Sequence, residues 1–259
     1  MHLYPKTMST YGDRGNILTL KKRSQWRGIE IDILKADIGD ALPEADLYFW
    51  GGGQDQQQKL VSIDLQGEKA KFLKKEVEKY KPMLLICGGY QLMGKFYTAE
   101  DKKIMGVGAL DLYTEASSQR MIGNILIHLN PELGIEDKWQ GENISTIVGF
   151  ENHSGKTYLG KALKPLGKVM KGYGNNGEDK GEGAIYKNVV GCYEHGPLLP
   201  KNPHLADFLI KEALQVKYQK DIQLSPLDDT LEWQAHMQIA KKLIRGHKSL
   251  IFSLRGIHG

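Results

Sequence analysis

The sequence predicts an α/β fold built around a mostly parallel sheet. Short apolar runs of the kind that form strands recur along the chain, separated by segments whose apolar residues have helical spacing. Glycines follow directly after two of these runs, at Gly51 and Gly88, as they do where a strand turns sharply. With 259 residues, 41% of them hydrophobic and 25% charged, the chain can bury a substantial core. We therefore expect one globular α/β domain whose sheet is flanked by helices.

The individual elements follow from local patterns. Alternating or wholly apolar runs predict strands at 29–34, 46–50 and 83–87, and glycine-punctuated strand runs continue from 104 to 194. Amphipathic spacing predicts helices at 65–80, 205–218 and 231–244, the last after a break at Pro226, and a further helix is expected at 90–96 after the glycine turn. We expect a core domain at residues 1–224, followed by a C-terminal helix and basic tail at residues 225–259.

The positive charge of the chain is concentrated in that tail. The formal net charge is +4. After Glu232 the charged residues are all basic: Lys241, Lys242, Arg245, Lys248 and Arg255. The rest of the chain is close to neutral, so its main body is not expected to bind a polyanion such as nucleic acid.

The sequence also predicts a cytoplasmic protein. Its apolar runs are far shorter than the ~18 residues of a membrane span. The first residues are charged and turn-rich, unlike a secretory signal. Two cysteines, Cys87 and Cys192, are too few for a disulfide framework or a structural zinc site. We expect free thiols and no metal.

The segment LLICGGYQLMG, residues 84–94, carries the strongest chemical signal. A cysteine at the tip of a buried strand, followed by two glycines and a helix, is typical of a nucleophile elbow. Such a turn exposes the Cys87 sulfur, and the Gly88 N–H would face a developing oxyanion. The alternative is a small buried cysteine at a strand end. The flanking glycines favour the nucleophile.

A thiol nucleophile needs a base, and His195 is the best placed of the eight histidines. It ends the strand-like run VVGCYEH, at the strand end where open α/β folds place their sites. His153, in FENHSGKT, is the competing candidate, although its loop is less clearly tied to a strand end.

Three glycine-rich segments also resemble functional motifs. The glycines at 51–53 follow a strand, where their N–H groups would approach a bound carbonyl as in an oxyanion hole, but a plain tight turn explains them equally well. Residues 155–157 (GKT) lack the first glycine of a phosphate-binding loop. Residues 172–183 lack a preceding apolar strand, so we interpret them as a flexible hairpin.

Six segments together resemble the class I glutamine amidotransferases, specifically their cobyric acid synthase-like branch and, within it, the GatD subunits of bacterial lipid II isoglutaminyl synthases. The segments occur in the family's order: STYGDRGN, GGGQDQQQ, ICGGYQLMG, QRMIGN, GFENHSGKT and YEHGPLLPKNP. The resemblance implies a flavodoxin-like fold with extra strands after residue 104. It also implies a glutaminase with Cys87 as nucleophile and His195 as base. The implied substrate-binding residues are Arg120, which would hold the glutamine α-carboxylate, and Gly52, Gly53, Gly88 and Gln91.

One departure from the family pattern concerns the base. Many class I amidotransferases carry a glutamate two residues after the histidine, but here that position is Pro197. The resemblance implies that a partner subunit, a Mur ligase-like protein called MurT, supplies the missing acid in a heterodimer. The chain contains no nucleotide-binding loop, so ATP and Mg²⁺ are expected on that partner and no cofactor is expected in this chain.

The resemblance thus implies a role in peptidoglycan synthesis. Glutamine would be hydrolysed through a Cys87 thioester, and the partner would use the ammonia to amidate the D-glutamate α-carboxyl of lipid II. The nearest alternative is an amidotransferase serving another carboxylate acceptor, of the cobyrinic-acid type. A non-enzymatic binding module of the same fold is the other alternative, and the presence of both Cys87 and His195 argues against it.

Overall fold

The computed structural model describes residues 1–9, 12–99 and 102–245. The helices of this part are α1 (Arg14–Trp26), α2 (Asp55–Leu65), α3 (Glu68–Glu78), α4 (Gly88–Met93), α5 (Pro203–Tyr218) and α6 (Thr230–Arg245). Its strands are β1 (His2–Leu3), β2 (Lys35–Ala36), β3 (Tyr48–Trp50), β4 (Met83–Ile86), β5 (Phe96–Ala99), β6 (Lys102–Met105), β7 (Leu112–Glu115), β8 (Met121–Leu129), β9 (Asp137–Trp139), β10 (Glu142–Ile144), β11 (Thr146–His153), β12 (Lys156–Leu159), β13 (Gly167–Lys171), β14 (Gly181–Glu182), β15 (Ala184–Tyr186), β16 (Val189–Cys192) and β17 (Glu194–His195). The predicted basic tail beyond Arg245 lies outside the described residues.

A six-stranded sheet forms the centre of the molecule, with the order β15-β16-β4-β3-β1-β2. Its neighbouring strands run parallel, except that β15 is antiparallel to β16. Strands β3, β4 and β16 are buried along their whole length, as parallel strands are when helices cover both faces. The predicted α/β fold with a mostly parallel sheet is confirmed.

In the described residues, three further sheets use the strands of the middle of the chain, and the smallest is the antiparallel pair of β9 and β10. Strands β14-β13-β8-β11-β17 form a five-stranded antiparallel sheet, and strands β12-β7-β5-β6 form a four-stranded mixed sheet. The extra strands predicted after residue 104 are therefore present, and the first of them begins earlier, at Phe96. Strand β17 ends the antiparallel sheet at His195, close to the end of β4 in the central sheet.

Three predicted elements differ from the structure. The helix predicted at 90–96 ends at Met93, and Phe96 begins strand β5. Residues 29–34 form no strand; the ladder with β1 is limited to Lys35–Ala36. The three isoleucines of that segment are instead half-buried and line a cavity of about 380 Å³ beside α1 and α5. The single helix predicted at 65–80 is two helices, because Gly67 takes φ +75°, a conformation that interrupts a right-handed helix.

Helix α6 packs on the antiparallel sheet. Its Ala240 lies against Leu126 and Val148, and its Trp233 is buried. The start of α6 is tied to the main body through the buried guanidinium of Arg23, which binds the carboxylates of Asp207 and Asp229. None of the helices in the described ranges is long and apolar enough to cross a membrane.

Candidate active site

Cys87 lies in the sharp turn between β4 and α4. Its backbone has φ +51° and ψ −106°, which is a strained conformation for a residue with a side chain. The Cys87 N–H donates to the carbonyl of Cys192 on the neighbouring strand at 2.8 Å, which fixes the turn to the sheet. This geometry is that of the nucleophile elbow, in which strain holds the side chain at the sheet edge.

The two glycines after Cys87 allow this turn to pack tightly. A Cβ on Gly89 would lie 2.8 Å from the Trp50 side chain. A Cβ on Gly88 would lie 2.8 Å from the methyl group of Met8 and 3.0 Å from the backbone nitrogen of Gly53. Neither position has room for a larger residue, so the glycines bring the loop after β3 directly against the turn that carries the thiol.

His195 lies next to Cys87 and is 1% exposed. Its ring hydrogen-bonds the Cys87 thiol, and its Nδ1 lies 3.2 Å from Oδ1 of Asp13. Burial alone would lower the pKa of His195, but the negative charges of the Cys87 thiolate and the Asp13 carboxylate outweigh burial and raise this pKa to about 10. The His195 ring therefore holds a proton at neutral pH, directly beside the Cys87 sulfur.

Asp13 corrects the expectation that the chain has no acidic partner for His195. The carboxylate is completely buried, with Oδ1 on His195 and Oδ2 accepting the Gly52 N–H at 2.6 Å. Asp13 occupies the N-cap position of α1, yet its side chain makes no cap hydrogen bond. It is therefore free to orient the histidine, as the carboxylate of a catalytic triad does.

The contact between α1 and the His195 turn brings Asp13 into this place. A Cβ on Gly15 would lie 2.4 Å from the Pro197 ring, so only glycine permits the approach. Asn16 completes the contact because its Oδ1 accepts the Leu199 N–H at 2.9 Å. Pro197, two residues after the histidine, thus packs against the start of α1, where Asp13 lies. The sequence signal was the motif GDRGN, whose aspartate is equally typical of an ordinary helix cap.

The position of Asp13 also distinguishes Gly52 from Gly53, the two glycines after β3 that were predicted to form the oxyanion hole. The N–H of Gly52 donates to Asp13, so it is not available to a substrate oxygen and the prediction for Gly52 is wrong. The nitrogen of Gly53 faces the elbow beside Gly88. Gly53 and Gly88, which lie side by side at this turn, therefore remain the predicted oxyanion pair.

Arg120 lies at the exposed rim of the site, just before β8. Its Nε–H donates to Oδ1 of Asn152 on β11 at 2.8 Å. In the antiparallel sheet, Asn152 is opposite Ile122 and Phe150 is opposite His195. Alternate residues of a strand share a face, so Asn152 and His195 point to the same side of the sheet.

Gln91 and His153 form the wall behind the thiol. The Gln91 Nε2 donates to the Tyr193 hydroxyl at 2.9 Å, in a buried chain that continues through Thr157 to Thr114. This bond uses one of the two Nε2–H donors of Gln91, so the substrate-binding role of Gln91 stays a prediction. His153 stacks on the Tyr193 ring with centroids 3.6 Å apart, and its Nδ1 bonds the Gly155 carbonyl. These contacts favour His195 over His153 as the base.

Residues 172–183 return from β13 to its antiparallel neighbour β14, so the predicted hairpin is present, but buried contacts hold it in place. Asn175 is 1% exposed. Its side chain donates to the Gly183 carbonyl and accepts the Gly183 N–H. It also accepts a hydrogen bond from the hydroxyl of Tyr90, a residue of helix α4. The buried carboxylate of Glu151 accepts the N–H groups of Tyr173 and Gly174. The segment therefore supports the wall of the site from behind. In the described part of the chain, no group of acidic, histidine or cysteine side chains could hold a metal.

Comparisons with known proteins identify the family of the chain. Residues 1–203 match the CobB/CobQ-like glutamine amidotransferase domain. The GatD subunit of the glutamine-hydrolysing lipid II isoglutaminyl synthase of Staphylococcus aureus is 38% identical over 96% of this chain and 97% of its own length. The same subunit of Streptococcus pneumoniae is 42% identical over 89% of this chain and 85% of its length.

More distant relatives share the domain or the fold. A probable cobyric acid synthase of Methanothermobacter thermautotrophicus is 28% identical over 64% of this chain, which corresponds to 33% of its own length. A solved glutamine amidotransferase superposes with a TM-score of 0.53 at 14% identity, over 76% of this chain and 93% of its own. The structure of PurLQS from Thermotoga maritima superposes with a TM-score of 0.51 at 17% identity, over 85% of this chain and 97% of its own.

Proposed function

The chain belongs to the CobB/CobQ-like glutamine amidotransferases and to the GatD group among them, and we propose that it is the glutaminase subunit of a lipid II isoglutaminyl synthase. The support is the identity to two relatives that carry this name, over most of both chains. In this proposal Cys87 forms a thioester with glutamine, and the ammonia passes to a second subunit.

The contact among Cys87, His195 and Asp13 is the observation that carries the proposal. A thiol, an imidazole bound to it and a buried carboxylate on the far ring nitrogen form the constellation that acyl transfer requires. A binding module would have no need for this arrangement, and its cost in backbone strain and a buried charge argues for a catalytic role.

In the first half of the reaction the Cys87 thiolate attacks the side-chain amide carbon of glutamine. The carbon–sulfur bond forms and the carbonyl π electrons move to the oxygen, where the N–H groups of Gly53 and Gly88 stabilise the charge. When the carbonyl re-forms, the carbon–nitrogen bond breaks and the His195 imidazolium gives its proton to the departing nitrogen. Ammonia leaves, and a glutamyl thioester and neutral His195 remain.

In the second half water replaces ammonia. Neutral His195 takes a proton from the water, whose oxygen attacks the thioester carbon, while Asp13 stabilises the imidazolium that forms. The carbon–sulfur bond then breaks, which releases glutamate and restores the thiolate and imidazolium pair. Every proton is returned, so the site needs no cofactor for glutamine hydrolysis.

The ammonia acceptor belongs to the partner in this proposal. We propose a MurT-like Mur ligase subunit that binds ATP and Mg²⁺, activates the D-glutamate α-carboxyl of lipid II and receives ammonia from this chain. The complex would act in the cytoplasmic steps of peptidoglycan synthesis. The alternative acceptor, of the cobyrinic-acid type, has less support, because the cobyric acid synthase relative is less similar and matches over a smaller share of its length.

A reconstitution with two readouts tests the proposal. The full chain is incubated with L-glutamine, with and without a co-purified ligase subunit, ATP, Mg²⁺ and lipid II. We expect glutamate and ammonia in both cases and amidated lipid II only in the complete mixture. Glutamine hydrolysis without lipid II amidation by the complete complex would contradict the acceptor, and no hydrolysis at all would contradict the enzyme.

A further inference from the structure

We propose that Asn152 is a positioning residue for glutamine, which holds the Arg120 guanidinium in the orientation that receives the α-carboxylate. The inference rests on the proposed function, in which Arg120 binds that carboxylate. Asn152 is half-buried on β11, and its Oδ1 accepts the Arg120 Nε–H at 2.8 Å.

The bond selects one edge of the guanidinium for the ligand. Arginine binds a carboxylate either through Nε and one Nη, or through both Nη groups. Asn152 occupies Nε–H, and within the described part of the chain the Nη groups have no hydrogen-bond partner. The edge formed by the two Nη groups is therefore the one presented to substrate, in the bidentate geometry that a lysine cannot reproduce.

The spacing along β11 matches the length of glutamine. Phe150 lies opposite His195 and Asn152 is two positions further on, on the same face. Two residues of a strand span about 6.7 Å. The amide carbon and the carboxylate carbon of an extended glutamine are about 5 Å apart, given ~1.5 Å for each bond. If Arg120 holds the α-carboxylate of glutamine beside Asn152, the side-chain amide can therefore reach Cys87 and His195.

The physical effect of Asn152 is pre-organisation. Arg120 is exposed, and an unanchored exposed arginine samples many rotamers that it must give up when it binds a ligand. The hydrogen bond to Asn152 restricts that freedom before glutamine arrives. Because Asn152 does not touch the reacting atoms, its loss should weaken binding and leave the chemical steps unchanged.

Steady-state kinetics of the full chain test the proposal. The key variant is Asn152→Leu, which keeps the side-chain size and removes the acceptor. We expect it to raise KM for L-glutamine roughly tenfold, as for the loss of one hydrogen bond to a charged group, with kcat within about twofold of the parent. Asn152→Asp keeps an acceptor oxygen and should return KM to within about threefold of the parent.

The α-amide of glutamine serves as a probe without the carboxylate. If Asn152 acts through Arg120, Asn152→Leu should leave kcat/KM for the α-amide unchanged, as a double-mutant cycle requires. The matched control is Asn143→Leu, at an exposed asparagine of strand β10, which should leave both substrates unaffected. Melting temperatures of all variants exclude a loss of fold.

The outcomes separate the inference from the function on which it rests. An unchanged KM in Asn152→Leu, together with a raised KM in Arg120→Ala, would overturn the role of Asn152 and leave Arg120 in place. A fall in kcat with unchanged KM, or an equal loss on the α-amide, would also overturn it. An unchanged KM in Arg120→Ala would remove Arg120 from the proposed site, and the inference would fall with it.

Discussion

The nucleophile side and the base side of this site are built in opposite ways. Cys87 is positioned by its immediate neighbours in the chain, which form strand β4, the strained turn and helix α4. His195 is positioned by Asp13, which is 182 residues away in the sequence and starts a different helix. A local motif can therefore mark half of an active site, while the other half depends on contacts that only the folded chain creates.

Glycine has a different use on each side. On the nucleophile side, Gly88 and Gly89 give the turn room against Met8 and Trp50. On the base side, Gly15 lets α1 approach the Pro197 ring, which brings Asp13 to the histidine. The first use is visible in the sequence because the glycines adjoin the cysteine. The second is hidden because the surface that needs the space is far away in the chain.

The largest expected effect comes from breaking the nucleophile side. Cys87→Ala should abolish glutamine hydrolysis, a loss of more than about a thousandfold, because no thioester can form. The protein should remain folded, since the change removes one small buried sulfur. Activity assays and circular dichroism check both statements.

A glutamine-analogue affinity label provides the control for that variant. It should modify Cys87 and spare Cys192, which is completely buried and whose thiol pKa burial raises well above its ordinary value. Labelling at Cys192 alone, or a Cys87→Ala chain that still hydrolyses glutamine, would contradict the assignment of the nucleophile.

A smaller effect is expected from a change at Arg23, which anchors helix α1 far from the His195 ring. Helix α1 carries Asp13 at its start and Arg23 near its end, where the 1% exposed guanidinium binds Asp207 at 2.6 Å and Asp229 at 2.8 Å. Arg23→Leu leaves the largely buried carboxylate of Asp229 without its arginine, while Arg27 still binds Asp207, so the free energy of unfolding should fall by about 3 kcal/mol. Denaturant unfolding measures this change.

The exposed ion pair between Lys71 and Glu68 supplies the matched control. Both side chains are mostly in water, with exposed fractions of 74% and 88%, so Lys71→Ala should leave the unfolding midpoint unchanged. Equal midpoints for the Arg23→Leu and Lys71→Ala variants would mean that the buried arginine does not hold α1 in place.

The fold was largely predictable from the sequence, because its strands and helices have strong local patterns. The buried run at 83–87 and the amphipathic helix at 205–218 are examples. The strand predicted at 29–34 failed because alternation reports a half-buried segment, and here the buried half covers a cavity beside α1 without joining the sheet ladder. Periodicity indicates burial and cannot by itself show hydrogen-bond pairing.

The site was predictable only where a residue stands in a recognisable local pattern. Cys87 and Gly88 follow from the elbow pattern, and His195 from its place at a strand end. Asp13 was missed because an aspartate before a helix normally caps it, and Gly52 was misassigned because the sequence cannot show that its N–H is already bonded.

The smallest expected effect is a shift in the pH profile. Acylation needs the proton of His195, whose pKa is raised to about 10, so kcat/KM should stay high through neutral pH and fall as the pH rises through about 10. Asp13→Asn removes one of the charges that raise this pKa, so its alkaline limb should move to lower pH. An alkaline limb that stays in place would contradict the coupling of the two side chains.

The kcat of Asp13→Asn, measured for the full chain alone and with saturating ligase partner, tests most directly the claim that this chain supplies its own acid. We expect kcat to fall about a hundredfold or more in both states, because an amide leaves His195 without a stabilising charge and in the wrong tautomer. KM should change little, since Arg120 still binds glutamine, and the exposed control Asp32→Asn should match the parent. An unchanged kcat, or full recovery when the partner is added, would show that an acid outside this chain orients His195.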